Sequence, residues 1–361
     1  MPGVYISWPF CSQKCTYCNF ASGVFPRHLE ARYLDRLLQE IQNHPWQWIP
    51  ETVYLGGGTP GSMQPGALDA ILQSIPGRPW REATLEAAPG AITPEQARAW
   101  TDAGITRVSL GVQSFVDAEL RRTGRRHTAA AVASDVALLR SAGLHEINLD
   151  LIAGLPAQTP ESWQASLDWI ERLQPPHVSV YMLEVDEDSR LGSEVLQGGL
   201  RFGAPDVPSE DRIAEFYEHA VARLAALGLQ RYEISNFASP GHESLHNLKY
   251  WRLEPYAGFG ADAHGFDGAT RFQNVESVTD YIAAENPLLA SSPASPGEER
   301  FFVGLRLLAG VELTPEDELR HGPAIEIFLR DGLLAREKST IRLTPRGVML
   351  SNEVFEAFLH D

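Results

Sequence analysis

Residues 4–18 read VYISWPFCSQKCTYC, an apolar, strand-like run that leads directly into three cysteines. Cys11, Cys15 and Cys18 are the only cysteines of the 361-residue chain, and an odd number so closely spaced predicts no disulfide framework. Thiolates at this spacing can bind one soft metal centre, and three are one fewer than a closed iron–sulfur or structural zinc site has. The open position favours a catalytic centre. The alternatives are inert buried thiols or a zinc site completed by His28 or His44.

The charge and the start of the chain restrict the class of protein. The formal net charge is −17, which disfavours general electrostatic binding to nucleic acid or anionic lipid. No apolar run is long enough to span a membrane, and Met1-Pro2-Gly3 leads into the first strand without the features of a signal peptide. We therefore expect a cytoplasmic protein in a reducing compartment, with no membrane span and no nucleic-acid partner.

Strand-like and helical segments alternate over the first half of the chain. Strands are predicted at 4–7, 52–55, 84–87, 107–110, 146–152 and 177–182, and helices at 27–43, 65–74, 94–103, 129–142 and 160–173. Strands that alternate with helices indicate βαβ units and a parallel sheet. The predicted fold class is therefore α/β, with a partial (β/α)6 TIM-like barrel whose chemistry lies at the carboxyl ends of the strands.

The rest of the chain divides by composition into two further parts. The barrel domain is predicted over 1–230, including a loop at 191–209 and the helix that follows it. An extension is predicted over 231–290. A surface loop at 290–297, rich in Ala, Ser and Pro, then leads into a small helical, winged-helix-like module over 291–361.

Polar and glycine-rich residues recur where the predicted strands end. The triplet Gly56-Gly57-Gly58 with Thr59 follows the second strand, Glu86 closes the third, Gln113 follows the fourth and Asp150 lies in the fifth. Because the carboxyl ends of parallel strands meet at one edge, we expect these residues to form one site.

At this point the sequence resembles a known family. The Cys-x3-Cys-x2-Cys spacing followed by GGGTP at 56–60 resembles the radical S-adenosylmethionine (SAM) superfamily. The segments LEAAP at 85–89, GVQSF at 111–115, DLIAGLP at 150–156, HNLKYW at 246–251 and LTPRG at 343–347 resemble the oxygen-independent coproporphyrinogen III oxidase family. The likeness covers nearly the whole chain, and it implies a radical SAM barrel.

The resemblance implies the cofactors and the residues that hold them. Three thiolates would hold three irons of a [4Fe-4S] cluster, and SAM would chelate the fourth iron. The radical chemistry would belong to these cofactors, while the protein binds and orients them. The cluster ligands would be Cys11, Cys15 and Cys18, and the SAM contacts Tyr5, Tyr17, Gly57, Gly58, Thr59, Glu86, Gln113, Arg125 and Asp150.

Two departures point to one group within this family. Members that decarboxylate coproporphyrinogen III carry a further cysteine two residues after the third, where this chain has Phe20, and a longer segment before the first strand, where this chain has three residues. Both differences resemble the heme chaperone group. Heme would then be a third cofactor, with His246, Tyr250 and Trp251 as candidate heme residues. There are two alternatives to His246 as the heme ligand: His246 is a buried core residue, or the ligand is His242 or His264.

The predicted function is therefore a heme chaperone that passes heme to acceptor proteins and carries the cluster and SAM. The first alternative is an oxygen-independent coproporphyrinogen III dehydrogenase, which would use a 5′-deoxyadenosyl radical to decarboxylate propionates. The second is another radical SAM enzyme. The implied partners are heme, acceptor proteins and a reductant such as flavodoxin or ferredoxin, and a homodimer is compatible with heme transfer.

Overall fold

A computed structural model describes residues 1–359 of the chain. Six parallel strands form the centre of the molecule in chain order, with each strand hydrogen-bonded to the next. They are β1 (Gly3–Trp8), β2 (Thr52–Gly57), β3 (Glu82–Ala87), β4 (Arg107–Gln113), β5 (Glu146–Ala153) and β6 (His177–Met182). This order confirms the predicted α/β fold with a partial (β/α)6 barrel.

Helices connect the strands and cover the outside of the sheet. They are α1 (Arg27–Asn43), α2 (Pro65–Ser74), α3 (Pro94–Asp102), α4 (Asp117–Arg122), α5 (Ala129–Ser141) and α6 (Pro160–Leu173). Thr93 and Thr159 form reciprocal capping boxes at the starts of α3 and α6, and each is followed by proline. Gly104 and Gly143 follow α3 and α5 with φ of 92° and 90°, which L side chains rarely adopt. Only the short α4 is missing from the predicted helices of this half.

The chain then returns to both edges of the same sheet. This part contains α7 (Arg190–Leu196), α8 (Glu210–Ala226), β7 (Gln230–Arg231), β8 (Asn236–Ala238), α9 (Leu245–Trp251), β9 (Tyr256–Phe259), β10 (His264–Phe266), β11 (Thr270–Asn274), α10 (Val278–Ala283) and β12 (Leu288–Pro293). Strand β8 pairs antiparallel with β6, while β9 pairs parallel with β1 and leads into β10, β11 and β12. Residues 231–290 thus extend the barrel sheet on two sides, and the domain boundaries given above remain predictions.

Two segments predicted as loops contain regular structure. Within the 191–209 segment lie most of α7 and a 3-10 turn at Arg201–Asp206. The 290–297 segment begins in the edge strand β12 and ends in a helix that starts at Pro296. Their Gly, Ser and Pro content indicated loops, but backbone pairing with β11 fixes β12 in the sheet.

A small module ends the described chain. It contains α11 (Pro296–Gly304), β13 (Val311–Glu312), α12 (Pro315–Arg330), β14 (Leu334–Glu337), β15 (Thr340–Leu343), α13 (Pro345–Met349) and α14 (Ser351–Glu356). The three strands form an antiparallel sheet in the order β13-β15-β14. Helices with a three-stranded antiparallel wing match the winged-helix-like shape that the sequence predicted.

The two faces of the barrel sheet differ in chemistry. Residues such as Val4, Ile6, Leu55, Val108 and Leu149 face the helices and are fully buried in the apolar core. Alternate positions on the same strands are polar and face the inside of the barrel, because successive side chains of a strand point to opposite faces. In residues 1–359, no helix combines the length and apolar character needed to cross a bilayer.

Candidate functional site

The three cysteines lie on the loop that follows β1, at the carboxyl edge of the sheet. None forms a disulfide, and each is partly exposed. Burial raises the pKa of the Cys11 thiol, hydrogen bonds from Thr59 and Ser22 lower it, and the nearby Cys18 and Cys15 thiols raise it again. Cys18 N–H donates to Cys15 O (3.4 Å), so the second and third cysteines share one turn of the loop.

Backbone hydrogen bonds from three parts of the chain hold this loop. Cys11 N–H donates to Gly23 O (2.8 Å), Thr16 N–H to Thr123 O (3.2 Å) and Leu191 N–H to Thr16 O (2.7 Å). Over residues 1–359, no three His, Cys, Asp or Glu side chains are grouped so that they could hold a metal ion. A [4Fe-4S] cluster does not need three ligands on one ion, since each thiolate binds a different iron.

Tyr17 connects the cysteine loop to the inside of the barrel. Its hydroxyl accepts a hydrogen bond from Arg125 Nε (3.1 Å), and Arg125 Nη1 donates to Gly111 O (2.8 Å). Arg125 also lies close enough to Asp150 to lower the pKa of that carboxyl, although burial is the largest effect and raises it. The neighbouring Arg126 is exposed to solvent. The structure therefore turns Arg125, and not Arg126, toward the predicted SAM residues.

Gly57 and Gly58 of the glycine triplet are each required as glycine, for different structural reasons. Gly57 has a φ of 98°, a left-handed conformation that L side chains rarely adopt, and a Cβ there would point at Ser7 Oγ (3.3 Å) and Tyr5 OH (3.5 Å). A Cβ on Gly58 would lie 2.7 Å from both Trp8 O and the carbonyl carbon of Pro9, so this glycine is required by backbone packing. Gly57 is thus required by its backbone conformation, and a side chain there would contact Ser7 and Tyr5.

Glu86 is the most strongly perturbed carboxylate at this edge. Its Oε1 accepts a hydrogen bond from Tyr54 OH (2.7 Å). Burial raises its pKa to about 7, and the neighbouring Asp150 adds to the rise, while hydrogen bonds from Tyr54 and from the Gly57 N–H oppose it. Tyr5 lies next to this pair, with its ring stacked on Tyr54 at 6.1 Å between centroids. A cationic or hydroxyl-bearing ligand would stabilise the ionised form of Glu86.

Gln113 ends β4 in a strained conformation. Its φ is 67°, and the pairing with β5 is irregular between Leu110 and Gln113. The side chain is 9% exposed, and its Oε1 has no hydrogen-bond partner within residues 1–359. Buried amide oxygens rarely lack a donor, so a donor supplied by a bound ligand fits this position. This unpaired oxygen is the feature of the site that fits a bound ligand such as SAM.

Sequence reasoning missed a polar layer beneath Asp150. Asn148 Nδ2 donates to Ser109 Oγ (2.8 Å) and Asp150 Oδ1 (2.7 Å), Ser179 Oγ donates to Asn148 Oδ1 (3.2 Å), and Ser109 Oγ donates to Asp150 Oδ2 (3.1 Å). These bonds fix the carboxylate in one orientation. The signal was present in the sequence, because polar residues alternate with apolar ones along β4, β5 and β6.

The barrel domain contains two cavities, and only one of them contacts the candidate site. A small cavity of about 40 Å³ lies inside the barrel beneath Glu86 and Asp150. A larger one of about 450 Å³ lies at the amino edge of the sheet and is lined by Arg140, Glu146 and His242 among others. The larger cavity is far along the strands from the cysteines, so it is not part of the candidate site.

The predicted heme residue His246 lies at the opposite end of the barrel from the cysteines. It is fully buried, with its Nδ1 2.8 Å from Thr52 Oγ1 and its Nε2 2.8 Å from Tyr250 OH. Burial, and secondarily Lys249, lowers its pKa to about 3 and keeps the ring neutral. Both ring nitrogens are hydrogen-bonded, so iron ligation by His246 would require one of these bonds to break. The structure shows His246 packed and hydrogen-bonded within the fold, and the assignment of His246, Tyr250 and Trp251 as heme residues remains a prediction.

The other two predicted heme residues pack around the same helix. The ring centroids of His246 and Tyr250 are 5.1 Å apart, those of Tyr250 and Tyr256 4.7 Å apart, and Arg306 lies over the Trp251 ring at 5.0 Å. Glu82 accepts the N–H groups of Leu245 and His246 at the start of α9. The motif therefore closes the amino end of the barrel.

Comparison with known proteins agrees with this architecture. A model of the radical SAM superfamily matches residues 5–170, and a model of the HemN C-terminal domain matches residues 292–350. Coproporphyrinogen III oxidase (HemN) from Escherichia coli superposes with a TM-score of 0.84 at 21% identity, covering 99% of this chain and 90% of that one. This likeness shows the fold.

Sequence similarity over the full length is higher to a group of chaperones. The heme chaperone HemW of Lactococcus lactis (strain IL1403) is 35% identical, covering 99% of this chain and 97% of that protein. HemW of Bacillus subtilis (strain 168) is 36% identical, covering 99% of both chains. The chain therefore belongs to the heme chaperone group of the radical SAM superfamily.

Proposed function

We propose that this protein binds heme and transfers it to acceptor proteins, and that it carries a [4Fe-4S] cluster and SAM. The full-length similarity to heme chaperones carries the proposal. The exposed Phe20, at the position of the further cysteine of the decarboxylating relatives, agrees with it. The proposed location is the cytoplasm, where a reducing environment keeps three thiols available for iron.

In this proposal Cys11, Cys15 and Cys18 hold the cluster, which supplies one-electron chemistry when it is bound. The remaining proposed residues bind and orient SAM beside it. Glu86 and Asp150 supply carboxylates and Gln113 an unpaired amide oxygen. Arg125 donates a hydrogen bond to Tyr17, which lies on the cysteine loop between Cys15 and Cys18. Tyr5, Gly57, Gly58 and Thr59 complete the proposed SAM set. A reductant such as flavodoxin or ferredoxin would supply the electron, and heme transfer could proceed from a monomer or a homodimer.

The test uses the protein after anaerobic reconstitution of the cluster. Heme binding is measured by the pyridine hemochromogen assay after desalting. Conversion of coproporphyrinogen III is measured with SAM and a reductant present. We expect stoichiometric heme binding without conversion. Formation of protoporphyrinogen would refute the chaperone proposal and favour the dehydrogenase, and the absence of heme binding would also refute it.

A further inference from the structure

Large hydrophobic side chains are unusually exposed around the cysteine loop. Thirteen such residues are exposed over the described chain, and six of them lie on segments at the carboxyl edge of the sheet. Contiguous exposed apolar surface marks a binding site more often than scattered single residues do. Tyr181 lines the cavity inside the barrel, and we name the other five residues the mouth patch: Phe20, Val24, Val185, Leu196 and Leu200.

Direct contacts hold the segments of the mouth patch together. Asn19, next to Phe20, donates from Nδ2 to Asp186 Oδ2 (2.7 Å), next to Val185. Leu191, at the start of α7, donates its N–H to Thr16 O between the cysteines (2.7 Å). Helix α7 ends at Leu196, and Leu200, which is 82% exposed, follows four residues later. The apolar side chains of the 181–200 segment thus lie beside the cysteine loop.

Three cations on segments that contact the cysteine loop lack carboxylate partners: Lys14 lies in the loop, Arg190 begins α7, and Arg126 follows Thr123, whose carbonyl accepts the Thr16 N–H. Lys14, Arg126 and Arg190 form no ion pair within residues 1–359, whereas Arg122 pairs with Asp206 and Arg201 with Glu194. Lys14 Nζ donates to Phe20 O (3.1 Å), and Arg190 donates to Lys14 O.

These cations stand out in a chain with a net charge of −17. Exposed Glu184, Glu187 and Asp188 lie on the 181–200 segment, so the unpaired cations, and not the rest of this segment, would have to hold an anion. An anionic group would be favoured at this position, next to exposed apolar surface.

We infer that the mouth patch is the heme-binding surface, an inference that rests on the proposed function. The porphyrin ring would lie against Leu196, Leu200 and Phe20, and its propionates would face Lys14 and Arg126. Heme combines a flat apolar ring with two carboxylates at one edge, which matches an apolar surface bordered by unpaired cations. This location also places heme next to the proposed cluster, at the opposite end of the barrel from His246.

Two variants with matched controls test this inference on the reconstituted protein. The first replaces two exposed side chains, Leu196→Asp with Leu200→Asp, and its control is Leu319→Asp on α12, where Leu319 is 86% exposed. The second is Arg126→Glu, and its control is Arg252→Glu, an exposed arginine at the amino end of the barrel. Iron and acid-labile sulfide content verify the cluster independently, because cluster and heme absorb in the same spectral region.

Heme affinity is measured by quenching of the intrinsic tryptophan fluorescence and checked by the pyridine hemochromogen assay. We expect the double leucine variant to bind heme roughly tenfold more weakly or worse, and Arg126→Glu several-fold more weakly, while both controls match the wild type. Affinities within about twofold of wild type in both test variants would overturn the inference and leave the proposed function standing. If the wild type itself binds no heme, the proposed function fails and the inference with it.

Discussion

The raised pKa of Glu86 predicts how the free energy of unfolding changes with pH, and this prediction does not depend on any cofactor. Glu86 is largely buried beside Asp150, and burial raises its pKa from the ordinary 4.5 to about 7. In the unfolded chain the carboxyl ionises near 4.5, so between pH 4.5 and 7 the folded state binds more protons. The free energy of unfolding must therefore fall as the pH rises through this window, and it must level off above pH 7.

The size of the effect follows from the same values. One pKa unit corresponds to about 1.4 kcal/mol, so a rise from 4.5 to about 7 gives a loss of about 3 kcal/mol between pH 4.5 and 7.5. Glu86→Gln keeps an oxygen that can accept the Tyr54 hydrogen bond and removes the ionisation. At pH 8 the variant should therefore be more stable than the wild type, and the advantage should shrink as the pH is lowered.

The assay is urea denaturation of the cluster-free protein, followed by tryptophan fluorescence at pH 5, 6, 7 and 8. Glu218→Gln on the exposed face of α8 is the control, and it should follow the wild type at every pH. The quantity of interest is the stability of the wild type minus that of Glu86→Gln. If this difference stays constant from pH 5 to pH 8, the pKa of Glu86 is not raised in the folded protein and the reasoning is refuted.

Three further substitutions give separate tests. Cys15→Ala should remove the visible absorption of the reconstituted cluster, and retention of a full complement of iron and sulfide would contradict the ligand assignment. Gly57→Val should leave the cluster in place and weaken SAM binding in calorimetry, since a side chain at φ 98° is strained and points toward Tyr5; unchanged binding would argue against this position. His246→Leu should lower the free energy of unfolding by about 1–3 kcal/mol, because the buried Thr52 and Tyr250 hydroxyls lose a partner, and heme binding should persist; loss of heme binding from a folded, stable variant would support His246 as a heme residue.

Local pattern was enough to predict the main elements of the barrel. Helices Arg27–Asn43, Pro65–Ser74 and Pro160–Leu173 begin and end where the sequence placed them, because apolar periodicity, a proline in the first turn of the last two and the Thr159 capping box of the last act within a few turns. Strands β1, β2, β4 and β5 were predicted slightly too short at their carboxyl ends, β3 was predicted too short at its amino end, and β6 has the predicted bounds. Gly56, Gly57 and Gln113 lack strand-like side chains, yet pairing with neighbouring strands holds their backbone in the sheet.

Within the candidate site, the sequence predicted which residues belong to the site better than it predicted where their side chains point. It named Arg125 by family resemblance, and the hydrogen bond from Arg125 to Tyr17 shows that this side chain faces inward. The sequence also predicted that the HNLKYW motif binds heme. Histidine and aromatic residues suit both heme binding and core packing, so residue type alone does not distinguish the two roles. The hydrogen bonds to Thr52 and Tyr250 depend on residues that are remote in sequence or on the packing of α9.

The sequence by itself determined the radical SAM barrel, the cysteine loop and the group of relatives, because these depend on local spacing and on motifs that are contiguous in the chain. Only the tertiary structure decided that Glu86 and Asp150 share one buried environment, that His246 lies at the far end of the barrel and that the 181–200 segment lies beside the cysteines. Each of these depends on which distant residues meet and how much water they exclude. Local sequence does not specify those contacts.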